Sequence, residues 1–306
     1  MKKDLLTVHD LTSGEIEKIL ERSAWLKKAQ KDGIVHHPLK GRSLGMIFEK
    51  SSTRTRVSFE AGMTQLGGAA QFLSARDIQI GRGEPVSDTA RVLSRYVDGI
   101  MARTFAHQTV LDLATYATVP VINGLTDLLH PCQALTDYFT MQEKFGALRG
   151  LKLAYVGDGN NMAHSLMFGG PKCGVNVAVA TPPGYGPDPD VTRRALEDAA
   201  EAGTKLVVTH SMDEAVSGAH VVYTDVWASM GQEAEQERRV RDFAGWTVTN
   251  ALMSLADREA VFMHCLPAHR GEEVAAEVCD GPRSVIYDEA ENRLHVQKAI
   301  LATLMA

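Results

Sequence analysis

The sequence is short of cysteine, with four in 306 residues, at positions 132, 173, 265 and 279, and no CxxC pair among them. A disulfide framework is thereby excluded, and a structural zinc site is disfavoured. Surplus positive charge is missing as well, since 32 Lys and Arg stand against 38 Asp and Glu for a net charge of -6. A nucleic-acid surface is therefore not expected, and any cationic site must be local. No apolar run reaches the roughly 18 residues of a membrane span, and Met1-Lys2-Lys3 passes directly into Asp4 without the apolar stretch of a signal peptide. The expectation is a protein of the reducing cytoplasm, with no membrane partner.

What is present is an alternation of short apolar runs and amphipathic segments, long enough for two domains of ordinary size. Thr12 and Glu15 predict a capping box for an opening helix that Gly33 stops, with Ile16, Ile19, Leu20 and Leu26 on its apolar stripe. Residues 43–48 read as a buried strand, Ser52 as the N-cap of the next helix, and Gly67-Gly68 as its end. Residues 69–73 predict another strand, and 74–85 a polar loop long enough to serve as a lid or to reach a neighbouring chain. Ser87 is expected to cap a helix through Tyr96, and strand 99–102 to deliver Arg103 at its carboxyl end. A helix over 107–116 and a strand over 119–122 precede a helix that has Pro131 in its first turn and runs to Phe145. Residues 146–150 read as an interdomain joint. Beyond it, apolar runs at 151–156, 175–180, 205–208, 221–224 and 260–263 alternate with helical segments, and 288–304 forms a helix that packs back on the first domain. The expected fold is α/β: two domains, 1–146 with 288–306 and 147–287, each a mainly parallel sheet flanked by helices.

Several stretches carry candidate chemistry. Glu49-Lys50-Ser51-Ser52-Thr53-Arg54-Thr55-Arg56 sets small hydroxyls and cations where a strand gives way to a helix. The first helical N–H groups have no acceptor within the helix, and the peptide dipoles add partial positive charge there, so a phosphate dianion fits, with Arg54 as a planar fork. A capped helix with two solvated arginines is the alternative at this point. Gly157-Asp158-Gly159-Asn160-Asn161-Met162 invites a dinucleotide reading, that of a nicotinamide-dependent oxidoreductase. Against it, Met162 stands where the third glycine belongs, and the next strand ends in Ala180-Thr181 rather than an acidic residue. Asn160 and Asn161 still suit a small polar ligand. Asp225 emerges at a strand's carboxyl end, and with Ser229 it suits the zwitterionic head of an amino acid, or else merely caps a helix. Cys265, in His264-Cys265-Leu266-Pro267, stands open as nucleophile, proton-handling group, metal ligand or buried thiol. Zinc held by His130, Cys132, His264 and Cys265 is disfavoured, because adjacent or alternate residues do not easily share a tetrahedral site.

Taken together, SSTRTRVSFE at 51–60, DTARVLSRY with the later MART at 101–104, HPCQ at 130–133, DVWASMG at 225–231 and HCLPAHRGEE at 264–273 resemble the aspartate/ornithine carbamoyltransferase family, on its ornithine branch. The motifs keep the family's order and cover nearly the whole chain. The resemblance implies transfer of the carbamoyl group of carbamoyl phosphate to the side-chain amine of L-ornithine, giving L-citrulline and phosphate in arginine metabolism, with no metal and no organic cofactor. Another amine acceptor such as putrescine is the alternative within the family. The resemblance also implies carbamoyl phosphate on the first domain, ornithine on the second, and a homotrimer or multiple of trimers with sites between subunits. Carried over residue by residue, it gives Ser52, Thr53, Arg54 and Thr55 to the phosphate. Arg103 and His130 go to the carbamoyl oxygen, Gln133 contacts the carbamoyl amide, Pro131 and Cys132 belong to the carbamoyl phosphate set, and Arg293 is a further carbamoyl phosphate contact. Gln79 matches a loop glutamine serving the neighbouring subunit. Asn161, Asp225, Ser229 and Met230 match the ornithine set, and Cys265 and Leu266 the pair beside the reacting amine and the carbamoyl group, where they also belong to the carbamoyl phosphate set. Arg54, Arg103, His130 and Cys265 are thus the implied catalytic set.

Overall fold

A computed structural model describes residues 3–228 and 235–306. The chain divides into two compact units, Met1–Phe139 with Glu291–Ala306, and Thr140–Ala290. Both cuts fall inside helices, whereas the composition of the chain suggested 146/147 and 287/288. A helix that passes from one unit to the next has no turn residues to mark the crossing.

In the first unit, α1 (Ser13–Lys31) begins at its capping box: Thr12 Oγ1 accepts from Glu15 N at 3.3 Å, and Glu15 Oε2 accepts from Thr12 N at 2.9 Å. The chain continues through β1 (Ser43–Phe48), α2 (Thr53–Gln65), β2 (Ala69–Ser74), a 3-10 turn at Gln79–Arg82, α3 (Val86–Leu93), β3 (Gly99–Arg103), α4 (His107–Tyr116), β4 (Val121–Leu125) and α5 (Pro131–Phe145). Ser87 is not the cap of α3. Pro85 holds the N-cap position, and its carbonyl accepts from Asp88 N and Thr89 N, so the helix starts one residue before Ser87 and ends at Leu93. The strands are parallel in the order β2-β1-β3-β4. Leu5 bridges Ile122 and covers the β4 edge, while β2 forms the other edge with none of its residues buried. Ile47, Ile100, Ala102, Val110, Leu113 and Val121 form a dry core that fixes the strands in register.

The second unit contains β5 (Lys152–Val156), α6 (Asn161–Cys173), β6 (Asn176–Ala180), α7 (Pro189–Ala202), β7 (Leu206–Thr209), α8 (Met212–Val216), β8 (Val221–Thr224), α9 (Gln236–Asp242), α10 (Asn250–Met253), β9 (Val261–His264) and α11 (Ala276–Cys279). All five strands are parallel, in the order β7-β6-β5-β8-β9. The last helix, Ile286–Met305, begins in this unit and ends in the first. The four short helices α8 to α11 carry too few residues for a periodic signal, and the sequence did not announce them.

Each sheet has one place where successive connections diverge. In the first, the chain leaves β1 toward β2 on one side and returns through β3 on the other; in the second, it leaves β5 toward β6 and returns through β8. The loops beyond these strand ends separate, and open α/β sheets bind ligands in the crevice so formed. Four of the candidate motifs fall there: 49–56 after β1, Arg103 ending β3, 157–161 after β5 and Asp225 after β8.

Candidate active site

In the first unit the register pairs Phe48 with Arg103, so the β1–α2 loop and the end of β3 lie side by side. Glu49 stitches them, its N–H donating to Arg103 O at 2.9 Å and its carboxylate accepting from Phe105 N at 2.8 Å. Lys50 is buried, its ammonium 4.5 Å from the centre of the Phe105 ring and paired with the carboxylate of Asp127 on the loop before α5. Three loops are thus tied before any ligand arrives, at little further ordering cost.

Ser52 caps α2 as its sequence position requires, accepting from Thr55 N at 3.2 Å. Its hydroxyl donates to Thr55 Oγ1 at 3.1 Å, and Arg293 Nη2 donates to the same oxygen at 3.1 Å. With two donors on its oxygen, the buried Thr55 keeps its own hydroxyl hydrogen to offer. Arg293, 3% exposed on the last helix, also donates from Nη1 to Gln133 Oε1 at 2.6 Å. Gln133 in turn donates to Asp137 Oδ1 at 2.8 Å. One guanidinium therefore joins the amino ends of α2 and α5, where unpaired N–H groups and helix dipoles converge.

His130 sits immediately before α5 and is buried. Burial pushes its pKa well below the usual imidazole value, and the guanidiniums of Arg293, Arg103 and Arg54 push it the same way. It is consequently a neutral ring at physiological pH, able to donate one N–H without adding charge. Three guanidiniums therefore bear on one buried ring. Cys132 is different: its thiol donates to Asn123 O at 3.4 Å, and burial pushes it up to about 12. Its side chain serves packing. Gln79 lies exposed on the 3-10 turn, and no hydrogen bond ties its side chain to these groups among the described residues.

In the second unit, β5, β8 and β9 end level, Val156 pairing with Thr224 and Thr224 with His264. Asp225 and Cys265 follow directly. Asp225 Oδ1 accepts from Cys265 Sγ at 3.1 Å and from Val226 N at 2.8 Å, and Oδ2 accepts from Asn160 Nδ2 at 3.0 Å. Asn160 also caps α6, accepting from Met162 N at 2.9 Å, and takes the Tyr155 hydroxyl hydrogen at 3.2 Å. Asn161, expected at this site, is buried in the first turn of α6. Ser229 and Met230 lie outside the described residues.

His264 supports this arrangement from behind. Its Nδ1 accepts from Leu266 N at 2.8 Å, which leaves the proton on Nε2, 3.2 Å from Glu273 Oε1. Both His264 and Glu273 have no exposed surface. The bond to Leu266 holds that residue at φ 61, a left-handed conformation uncommon for leucine, and so fixes the backbone beside Cys265. Glu273 escaped sequence reasoning because a buried carboxylate nine residues past its histidine has no local pattern to betray it.

The glycine-rich turn after β5 serves the chain itself. A Cβ at Gly159 would stand 2.3 Å from Pro187 N and 2.4 Å from Gly186 C, so residues 186 and 187 lie against the turn. Asp158 is buried and receives Arg239 Nη1 at 2.7 Å; that atom also donates to Trp227 O at 2.8 Å. Burial outweighs the arginine and pushes the Asp158 carboxyl up to about 6. The residues of the supposed dinucleotide loop are therefore engaged with neighbouring segments of the protein. Arg239 was not foreseen either, because on α9 it looks like one of several surface arginines.

A cationic, helix-ended socket on one sheet and a carboxylate, amide and thiol on the other make a pairing with close counterparts among known proteins. Residues 3–143 match the family model "Aspartate/ornithine carbamoyltransferase, carbamoyl-P binding domain", and residues 149–304 match "Aspartate/ornithine carbamoyltransferase, Asp/Orn binding domain". The ornithine carbamoyltransferase of Symbiobacterium thermophilum is 60% identical over 304 residues, 99% of this chain and 98% of that protein. That of Carboxydothermus hydrogenoformans is 59% identical over 303 residues, 99% and 97% of the two chains. The structure of ornithine carbamoyltransferase from Pyrococcus furiosus superposes with a TM-score of 0.96 at 57% identity, covering 99% of this chain and 97% of the other. Likeness of this extent spans nearly the whole given chain, and the chain belongs to the aspartate/ornithine carbamoyltransferase family.

Proposed function

We propose that this chain transfers the carbamoyl group of carbamoyl phosphate to the side-chain amine of L-ornithine, releasing L-citrulline and phosphate. The observation that carries the reading is the Arg293 clamp: one buried guanidinium aligns Thr55 and Gln133 at two helix amino ends beside a neutral His130. Such a place suits a phosphate dianion joined to a carbonyl that gains negative charge during attack. Arg54, Arg293 and the first N–H groups of α2 take the phosphate, with Ser52 and Thr53 at the cap. Arg103, His130 and the spare hydrogen of Thr55 stabilise the oxyanion, and Pro131 and Cys132 contribute backbone beside the carbamoyl amide.

The second unit takes ornithine. Asp225 is already hydrogen-bonded to Cys265 and Asn160, and with Asn161, Ser229 and Met230 it accounts for the amino-acid head and its side-chain amine. The amine must be neutral to attack. At a lysine-like pKa of about 10.4, only about 0.04% of it is neutral at pH 7, a cost of about 4.6 kcal/mol. An ordinary cysteine, near 8.5, is too weak a base to remove that proton without cost. Asp225, Cys265 and the Leu266 backbone therefore select and orient the neutral amine, and departing phosphate accepts the proton. Neither a metal nor an organic cofactor enters the scheme.

A homotrimer or multiple of trimers, with Gln79 serving a neighbouring subunit, belongs to the same proposal. It is supported by the unburied β2 edge and the exposed turn that follows it. A cytoplasmic setting accords with four free thiols, and no described helix is long and apolar enough to cross a membrane. The test is an assay of citrulline formed from carbamoyl phosphate and ornithine, with aspartate and putrescine as competing acceptors. Citrulline as the main product is expected; folded protein that makes none, or prefers putrescine, refutes the assignment.

A further inference from the structure

The loop 268–274 holds a second group of ligand-type side chains. His269 Nδ1 lies 3.6 Å from Glu272 Oε2 and 4.0 Å from Glu273 Oε2, and one donor atom from each of the three residues falls within 4.8 Å of the others. An independent observation points the same way. Glu273 Oε2 is fully buried and accepts no hydrogen bond among the described residues, although its partner oxygen Oε1 serves His264 Nε2 and His269 N. A buried carboxylate oxygen without a donor is costly unless something positive meets it. Here it faces an imidazole nitrogen and a second carboxylate.

We infer that His269, Glu272 and Glu273 form a binding site for a first-row divalent transition cation. One imidazole and two carboxylates are the donor set of zinc, cobalt or nickel, and leave further positions for water. A cation about 2.0–2.2 Å from each donor requires donor separations of about 3.4 Å, so the side chains need close by only a few tenths of an ångström to somewhat over one ångström. The backbone that carries them is held in place: Gly271 N donates to Val274 O and Val248 N to Glu273 O, each at about 2.8–2.9 Å, and Arg270 forms two bonds with Asp280. Glu272 Oε2 also accepts from Gln236 Nε2 at 3.1 Å, a bond the cation would share or displace. The nearby group Asp225, His264 and Cys265 is the poorer choice, because both nitrogens of His264 are engaged with Leu266 N and Glu273. A cation on Glu273 Oε2 would fasten the carboxylate that holds His264, and through it the Leu266 backbone.

Cobalt(II) titration of the full chain, followed by visible absorption, tests the site. One saturable equivalent is expected, with ligand-field bands and no thiolate-to-metal charge-transfer band, displaced by Zn²⁺ and unaffected by Mg²⁺. His269→Ala should weaken binding by about 100-fold or more, since loss of even an outer partner costs about 10- to 100-fold. Glu272→Gln should do the same in direction, while Cys265→Ser leaves the spectrum unchanged. His269 is half exposed, and the metal-free Tm and far-ultraviolet spectrum of His269→Ala should match the parent, separating loss of the site from loss of the fold. A thiolate band, loss of the signal in Cys265→Ser, survival of the signal in His269→Ala, or no saturable binding would each overturn the inference.

Discussion

The two sheets end in sites of opposite character, and each is braced by a buried cation on a carboxylate. In the first unit Lys50 meets Asp127, whose side chain is 60% exposed; in the second Arg239 meets Asp158, at 8% and 10% exposure. The first brace leaves its carboxylate in water and its cation under an aromatic ring, so the site above it stays net positive. In the second brace both charges are out of water, and the arginine's planar head binds Asp158 and Trp227 O through Nη1 while Nε donates to Glu235 Oε2 at 3.0 Å. A positive socket asks for a loosely neutralised cation, and a carboxylate-lined site for a fully neutralised support.

Breaking the second brace should have the largest effect. Arg239→Met leaves Asp158 buried without its partner and should cost about 3–5 kcal/mol of stability, read from denaturant unfolding. The loss should depend on pH with a defined sign. Asp158 already has a folded pKa near 6 against an ordinary 3.8, so the folded state binds its proton more tightly than the unfolded state. That term favours folding below about pH 4 and is lost as pH rises through about 6, and without Arg239 the upper limit moves higher. The variant should therefore be closest to the parent in acid and furthest from it above neutrality. A difference that does not vary with pH would show that Asp158 is not the group left behind.

Next is Arg54→Gln, which removes the socket's most accessible guanidinium while leaving the Arg293 clamp intact. Turnover and carbamoyl phosphate affinity should fall together, kcat/KM by about 100- to 1000-fold, with Tm unchanged. Asp225→Asn tests the other site. It weakens the bonds from Cys265 and Asn160, and an interaction with a charged group is worth about 1.5–3 kcal/mol, so ornithine KM should rise about 10- to 100-fold while carbamoyl phosphate binding, measured alone by calorimetry, stays the same. Equal damage to both substrates would erase the distinction between the two sites.

The sequence made some of this plain and hid the rest for identifiable reasons. Thr12 with Glu15 and Ser52 before α2 were readable because capping is a contact between near neighbours. The strands of the second sheet were readable because they are continuous apolar runs, β5, β6, β8 and β9 buried on both faces and β7 at the edge still a Leu-Val-Val run. Ser87 misled because a proline just upstream took the N-cap position. The partners that set the chemistry were harder: Arg293 with Thr55 is a contact across 238 residues, Arg239 with Asp158 across 81, and His264 with Glu273 across nine with no periodicity to mark it. Family resemblance supplied Arg293, but nothing in the local sequence explained what it clamps.

The smallest effect belongs to the first brace, and it sharpens the contrast. Lys50→Met retains most of the buried stem and gives up the ammonium over Phe105 and the bond to Asp127. Asp127 stays hydrated, so no buried charge is stranded, and an ion pair with one exposed partner contributes at most about 1 kcal/mol. The ring contact adds a similar amount or less at a partly exposed aromatic. The variant should thus lose about 1–2 kcal/mol in denaturant unfolding, clearly less than Arg239→Met. The three loops should remain tied without Lys50, because Glu49 bonds to Arg103 and Phe105, and Asp127 N donates to Phe105 O at 2.9 Å. A loss as large as that of Arg239→Met would mean that Asp127 needs its cation despite its exposure, and that the two braces are the same device.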